Sequence, residues 1–149
     1  MAHHNPKHNA DSSLPATAGL MKMLETSPDQ FEEKLSEIES PAFHEYLYLI
    51  MKKQGFSAPA LIADASVSKT YAYQFLNGER IPGRDIILRM CLAMGTKLDE
   101  TQRLLTLGGK SVLYPKIRRD AGILYCLRKE LSLNETNSFL ESLGELPLL

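Results

Sequence analysis

The stretch SVSKTYAYQFLNGERIPGR, residues 66–84, places many hydrogen-bonding side chains on one short predicted helix. SVS interrupts the preceding helical pattern, and Asn77-Gly78 ends the new one with a glycine free to take positive φ. The helix is therefore predicted over 69–76. At about 100° per residue, one arc is wholly apolar and docks the helix. The members of that arc are Ala72, Phe75 and Leu76, and the members of the opposite, polar arc are Lys69, Thr70, Tyr73, Gln74 and Asn77.

The polar arc has the chemistry that the major groove of duplex DNA can accept. Gln74 can bind adenine through two hydrogen bonds, Lys69 can donate to guanine, and Thr70 suits either base or a thymine methyl. Tyrosine hydroxyls and the Asn77 amide can reach phosphate oxygens, which fix register without reading sequence. An ordinary solvated helix face is the alternative interpretation of the same residues.

Composition and periodicity indicate an all-α chain of about eight short helices. Of the 149 residues, 44% are hydrophobic, and Leu, Ala, Met, Glu and Lys outweigh the β-branched types. No stretch alternates with a period of two. Besides 69–76, helices are predicted at 16–26, 41–54, 57–65, 84–94, 98–107 and 115–131. Two further helices are predicted, one that begins after a Ser27 cap and one that begins after an Asn134 cap. Their apolar positions include Leu98 and Ile117.

Charge is unevenly distributed along the chain, although the net charge is only −1. Residues 1–45 hold 3 basic and 8 acidic side chains. Residues 46–120 hold 12 basic and 6 acidic side chains, and residues 121–149 hold 2 basic and 4 acidic side chains. A basic middle between acidic ends is compatible with a local anion-binding face.

The segment FSAPALIADASVSKTYAYQFLNGERIP, residues 56–82, resembles the Cro/repressor-like (XRE) helix-turn-helix proteins of bacteria and phages. The resemblance implies a lambda-repressor-like set of five helices, from 41–54 through 98–107. It implies base-reading roles for Lys69, Thr70, Tyr73 and Gln74. The candidate phosphate contacts are Ser68, Tyr71, Asn77, Arg80 and Arg84.

The chain departs from the family pattern at four positions. Ala58 stands where a bracing Gln is usual, Ile62 replaces a small residue, and Ser66 replaces the turn glycine. Glu79 adds an unfavourable charge near the expected phosphates. These departures bear on affinity more than on fold.

The expected organisation has four parts: a flexible tail at 1–15, a helical leader at 16–40, the helix-turn-helix domain at 41–108, and a C-terminal helical extension at 109–149. The histidines of the tail lack the fixed geometry of a metal site. The basic cluster KIRRD, residues 116–120, either touches flanking phosphates or pairs with the acidic leader at 32–39, within a chain or across a dimer. Pairing is the favoured alternative.

Several function classes find no support in the sequence. There is no catalytic constellation, phosphate-cradling loop or metal cluster, so no enzyme, cofactor or metal is predicted. Cys91 and Cys126 lie in apolar helical stretches as small core residues. No secretory segment or long apolar run is present, and a cytoplasmic location is expected.

The leading hypothesis is a sequence-specific DNA-binding transcriptional regulator. We expect it to act as a homodimer, with two recognition helices about 34 Å apart and with the apolar surfaces of the terminal helices as the candidate seam. The alternative is a protein-interaction module that retains the scaffold but has lost DNA binding. Two tyrosines on the proposed reading helix favour this alternative, since tyrosine suits protein interfaces.

Overall fold

The structure is a computed structural model that describes residues 17–35 and 40–149. Within those ranges the chain is all-α and contains no strand, which confirms the all-α part of the predicted fold. The tail at 1–15, its histidines and the acidic positions 36–39 lie outside the described residues. The helices are α1 Thr17–Thr26, α2 Pro28–Leu35, α3 Phe43–Gln54, α4 Ala58–Ala65, α5 Lys69–Leu76, α6 Arg84–Met94, α7 Leu98–Leu107, α8 Arg118–Arg128 and α9 Leu133–Ser142.

The chain divides into two compact units between Ser40 and Pro41. In the first unit, α1 and α2 pack on each other. The second unit spans residues 41–149, and the predicted boundary after residue 108 lies inside it.

Helix α6 is the centre of the second unit. It packs against α4, α7 and α9, and six of its eleven residues are buried. A helix that is apolar on most sides is expected to lie inside a protein. Around it, α3 packs on α5 and α7, while α8 contacts α7 and α9. The C-terminal helices therefore share one core with the predicted helix-turn-helix domain.

Local capping chemistry explains several helix ends. The Ser57 and Ser68 hydroxyls accept backbone N–H groups at the starts of α4 and α5. Gly55 and Gly95 take left-handed conformations after α3 and α6. These ends agree with the predicted ranges 57–65, 69–76, 84–94 and 98–107 to within a residue.

Three predicted helix starts are wrong. Helix α3 begins at Phe43, not Pro41, because Glu45 reaches back to accept the Ala42 N–H at 2.9 Å. Helix α8 begins at Arg118, three residues after Pro115. Helix α9 is capped by Ser132, not by Asn134. The Ser132 hydroxyl accepts the Glu135 N–H, and the Glu135 carboxylate accepts the Ser132 N–H.

Two apolar side chains at helix starts are exposed. Leu98 is 48% exposed and Ile117 is 53% exposed. By contrast, Cys91 and Cys126 are fully buried free thiols, as expected. No helix in the described ranges combines the length and apolarity that crossing a bilayer requires.

Candidate nucleic-acid interface

Helix α5 divides into the two arcs predicted from the sequence. Ala72, Phe75 and Leu76 are each at most 2% exposed and belong to the core. On the opposite arc, Lys69 and Thr70 are exposed and Tyr73 and Gln74 are half-buried. The apolar arc fixes the rotation of the helix, so the polar arc has one defined presentation.

The polar arc is chemically available. Within residues 17–35 and 40–149, its five side chains make no hydrogen bond or ion pair to another part of the chain. They are Lys69, Thr70, Tyr73, Gln74 and Asn77. Polar side chains gathered on one face without internal partners can hydrogen-bond an external ligand at no cost in lost internal bonds.

The turn between α4 and α5 is held by an arginine that sequence reasoning missed. Arg89 on α6 donates from Nε to the Ala65 carbonyl at 3.0 Å and from Nη2 to the Ser66 carbonyl. Ser66 itself takes a left-handed conformation, with φ of 55°. A cation at the C-terminal end of α4 also suits the helix dipole. Arg89 therefore fixes the angle at which α5 leaves the turn.

Ser68 caps α5 in a way that leaves its proton free. Its Oγ accepts the Tyr71 N–H at 3.3 Å, and Ser68 is exposed. A hydroxyl that accepts one bond can still donate another, for example to a phosphate oxygen.

Tyr71 lies on the flank of α5 and is only partly available. Its ring meets Phe75 edge-on at 5.5 Å between centroids, and the Arg80 guanidinium lies 5.9 Å from its centre. Arg80 is exposed and makes no ion pair in the described part of the chain. The tyrosine packs against the core while it holds a cation beside the polar arc.

The end of α5 requires glycine at position 78. Gly78 has φ of +81°, and a side chain there would approach the His44 ring to 2.7 Å. The turn also brings the Glu79 and Arg80 N–H groups onto the Gln74 carbonyl, at 2.8 and 3.2 Å. Helix α3 thus packs closely under the turn that follows Asn77.

Arg84 is committed to the interior of the unit, which does not favour its predicted phosphate contact. Its Nη1 and Nη2 donate to both oxygens of Asp120, at 3.0 and 2.8 Å. Nε donates to the Ser111 carbonyl and Nη2 to the Val112 carbonyl. Four of its five N–H donors are therefore occupied.

Asp85 and Arg119 form a second pair beside the first. Arg119 donates to both Asp85 oxygens, at 3.0 and 2.9 Å. The residue pairs 84–85 and 119–120 both read Arg-Asp, and each arginine binds the aspartate of the other pair. We call Arg84–Asp120 and Asp85–Arg119 the crossed pairs. They tie the start of α6 to the start of α8.

The basic cluster at 116–120 thus has internal partners other than those predicted. Arg119 binds Asp85, and Arg118 lies 3.5 Å from Glu145, both within residues 41–149. Helix α8 points these two arginines at α6 and at the chain after α9. The pairing of the cluster with the acidic leader at 32–39 stays a prediction. Positions 36–39 of that leader lie outside the described residues.

The described residues contain no cluster of His, Cys, Asp and Glu able to hold a metal ion. The chain matches no protein-family model, no curated protein and no solved structure. The resemblance to helix-turn-helix proteins therefore stays a prediction from residues 56–82.

Proposed function

We propose that this chain is a sequence-specific DNA-binding transcriptional regulator that reads the major groove with α5. The observation that supports it most is the polar arc, whose five side chains are presented by a docked helix and have no internal partners in the described chain. The arc combines an ammonium group, hydroxyls and two side-chain amides, which match the donor and acceptor patterns of base edges and phosphates.

In this proposal Lys69, Thr70, Tyr73 and Gln74 contact base edges. Ser68, at the N-terminal end of α5, and Asn77, at its C-terminal end, contact phosphates on either side of the groove. Arg80, held near Tyr71, adds a further backbone contact. Phosphate contacts set the register of the helix, and base contacts then discriminate sequence.

The functional unit we propose is a homodimer on a pseudo-palindromic site. Two copies of α5 would then lie about one turn of DNA apart, near 34 Å. Exposed apolar side chains outside the polar arc are available for such contacts, among them Leu98, Tyr125 and Leu146.

A selection from random duplex DNA tests the proposal. We expect one enriched motif for the full chain at low salt. Gln74→Ala removes an amide that can make two hydrogen bonds to a base. We therefore expect the preference for the correct base to fall by about 1–3 kcal/mol at one position of the motif and to stay unchanged at the others. Asn77→Ala is expected to weaken binding to all duplexes equally, because a phosphate contact carries no sequence information.

The second candidate, a protein-interaction module, has its own support. Asp120 neutralises Arg84, Glu79 is exposed beside Arg80, and Tyr71 and Tyr73 are both partly exposed. A parent protein that enriches no duplex at low salt excludes the DNA proposal and leaves this candidate.

A further inference from the structure

The connection between α7 and α8, residues 110–117, has no helix but is firmly held. Leu113 donates its N–H to Gln102 Oε1 at 2.8 Å, and Gln102 Nε2 donates back to the Leu113 carbonyl at 3.0 Å. Tyr114 donates its N–H to Asp120 at 3.0 Å. Side chains from α7 and α8 therefore replace the backbone partners that a helix would supply.

Arg84 places this connection at the start of α6. Its guanidinium lies 2.9 Å from the Ser111 carbonyl and 3.1 Å from the Val112 carbonyl. The connection thus wraps around the side chain that the sequence predicts to face the DNA backbone. Because Asp120 neutralises that side chain, a phosphate approaching here needs a different cation.

Two lysines of the connection supply that charge. Lys116 is exposed and Lys110 is partly exposed, and neither makes an ion pair in the described part of the chain. The neighbouring charges are matched: Arg84 with Asp120, Arg119 with Asp85, and Arg118 with Glu145. The net positive charge of this region therefore comes from Lys110 and Lys116.

Hydroxyl groups accompany the two lysines. Tyr114 is 50% exposed, and Ser111 is exposed while its carbonyl is held by Arg84. Lysine, serine and tyrosine side chains are the usual donors to phosphate oxygens in DNA complexes. The backbone that carries them is already ordered, so binding would lose little conformational entropy.

We propose that residues 110–116 form a second phosphate-binding site, with Lys110 and Lys116 as its cations and Ser111 and Tyr114 as hydroxyl donors. It contacts the DNA backbone beside the groove entered by α5 and takes the place that Arg84 would otherwise fill. This inference rests on the proposed DNA-binding function and extends the contact surface into the C-terminal extension.

The salt dependence of binding tests this site separately from sequence reading. Each phosphate contact to B-DNA contributes about 0.9 to the slope of log K against log salt concentration. For the full chain with Lys110→Gln and Lys116→Gln together, we expect the slope to fall by about 1.8. Between 50 and 200 mM salt, the double variant would then lose about twelvefold less affinity than the parent does.

The matched control is Lys129→Gln, which removes the same charge at the other end of α8. Eleven residues of helix separate the two ends, a distance of roughly 16 Å. That exceeds the Debye length of about 10 Å at 0.1 M salt, so we expect little change in slope. Fluorescence anisotropy with the duplex enriched by the parent protein provides the affinities, and thermal melting verifies the fold of every variant.

Each outcome has a definite meaning. A reduced slope in the double variant with an unchanged base preference supports the site. A parent that binds DNA and a double variant with the parental slope overturn the site but leave the proposed function intact. Equal slope losses for Lys129→Gln and for Lys116→Gln alone also overturn it, because they indicate general electrostatic attraction. A parent with no affinity for any duplex removes the proposed function and this inference together.

Discussion

Replacing Asp120 by Asn tests whether the crossed pairs stabilise the fold in proportion to their burial. Asp120 and Asp85 each accept two hydrogen bonds from one arginine, at 2.8 to 3.0 Å. Their environments differ: the side chain of Asp120 is 3% exposed and that of Asp85 is 38% exposed. The two Asp→Asn variants therefore compare the same two-bond pairing with arginine at two levels of burial, although Asp120 also accepts from Tyr114 N.

The expected losses follow from the bonds involved. Asp120 accepts from Arg84 twice and from Tyr114 N once, and Asn would turn an N–H₂ group toward one of these donors. Breaking a buried pair costs about 3–5 kcal/mol, and the partly exposed Arg84 places this one at the low end. We expect Asp120→Asn to cost about 3 kcal/mol. Asp85→Asn is expected to cost about 1 kcal/mol, because its pair is screened by solvent.

The pH dependence of the free energy of unfolding tests the Arg84–Asp120 pair independently. Burial alone would raise the pKa of Asp120, but hydrogen bonds from Arg84 and from Tyr114 N outweigh it and hold the pKa below the ordinary 3.8. A carboxyl with a lowered pKa in the folded state stabilises the fold above its unfolded pKa and loses that contribution as pH falls through the folded value. The free energies of unfolding of the parent and of Asp120→Asn should therefore become equal below pH 4.

Urea unfolding followed by circular dichroism measures both variants at pH 7 and then at lower pH. Equal losses for the two variants would refute the assignment of stability to burial. A cost below 1 kcal/mol for Asp120→Asn, or a difference in unfolding free energy between parent and variant that grows in acid, would show that the Arg84–Asp120 pair does not stabilise the fold as described.

Four further outcomes are expected. Ser66→Gly should stabilise by about 1 kcal/mol in thermal unfolding, because φ of 55° strains any residue with a Cβ; destabilisation would contradict this. Phe75→Ala should cost about 3–5 kcal/mol in urea unfolding, since its side chain is 1% exposed, and a smaller loss would mean that α5 is not docked by its apolar arc. Gly78→Ala should cost about 2 kcal/mol in the same assay, partly restored by His44→Ala, which frees the space beside it. Burial raises the pKa of the Cys91 thiol to about 11, so iodoacetamide at neutral pH should modify it only after unfolding; rapid labelling of folded protein would contradict this.

The parts of the fold that were predictable depend on neighbouring residues. The range of α5 follows from the Ser68 cap and from Asn77-Gly78, and its buried arc follows from helical spacing. The starts of α3 and α9 were misplaced although their capping boxes are also local. In both cases a nearby residue carries a competing start signal: Pro41 suits the first position of a helix, and Asn134 suits a cap.

The parts that were not predictable depend on residues far apart in sequence. Arg84 carries the same side chain whether it faces a phosphate or Asp120, and Asp120 lies thirty-six positions away. The role of Arg89 at the Ser66 turn likewise depends on how α6 crosses α4. Periodicity locates a face, but it does not choose the partner of a charged group at the edge of that face.

Two side-chain amides that each both donate to and accept from the backbone of one leucine have a consequence for dividing the protein into fragments. Gln102 holds Leu113, and Asn137 holds Leu148 in the same way, through a donated and an accepted bond at 3.0 and 2.7 Å. Both leucines are buried. A fragment cut after Gly108 would deprive Arg84 of its carboxylate and Gln102 of its backbone partner, and would open the core at Leu113. The resemblance to a five-helix domain is therefore a poor guide to where the chain can be cut, because the compact unit spans residues 41–149.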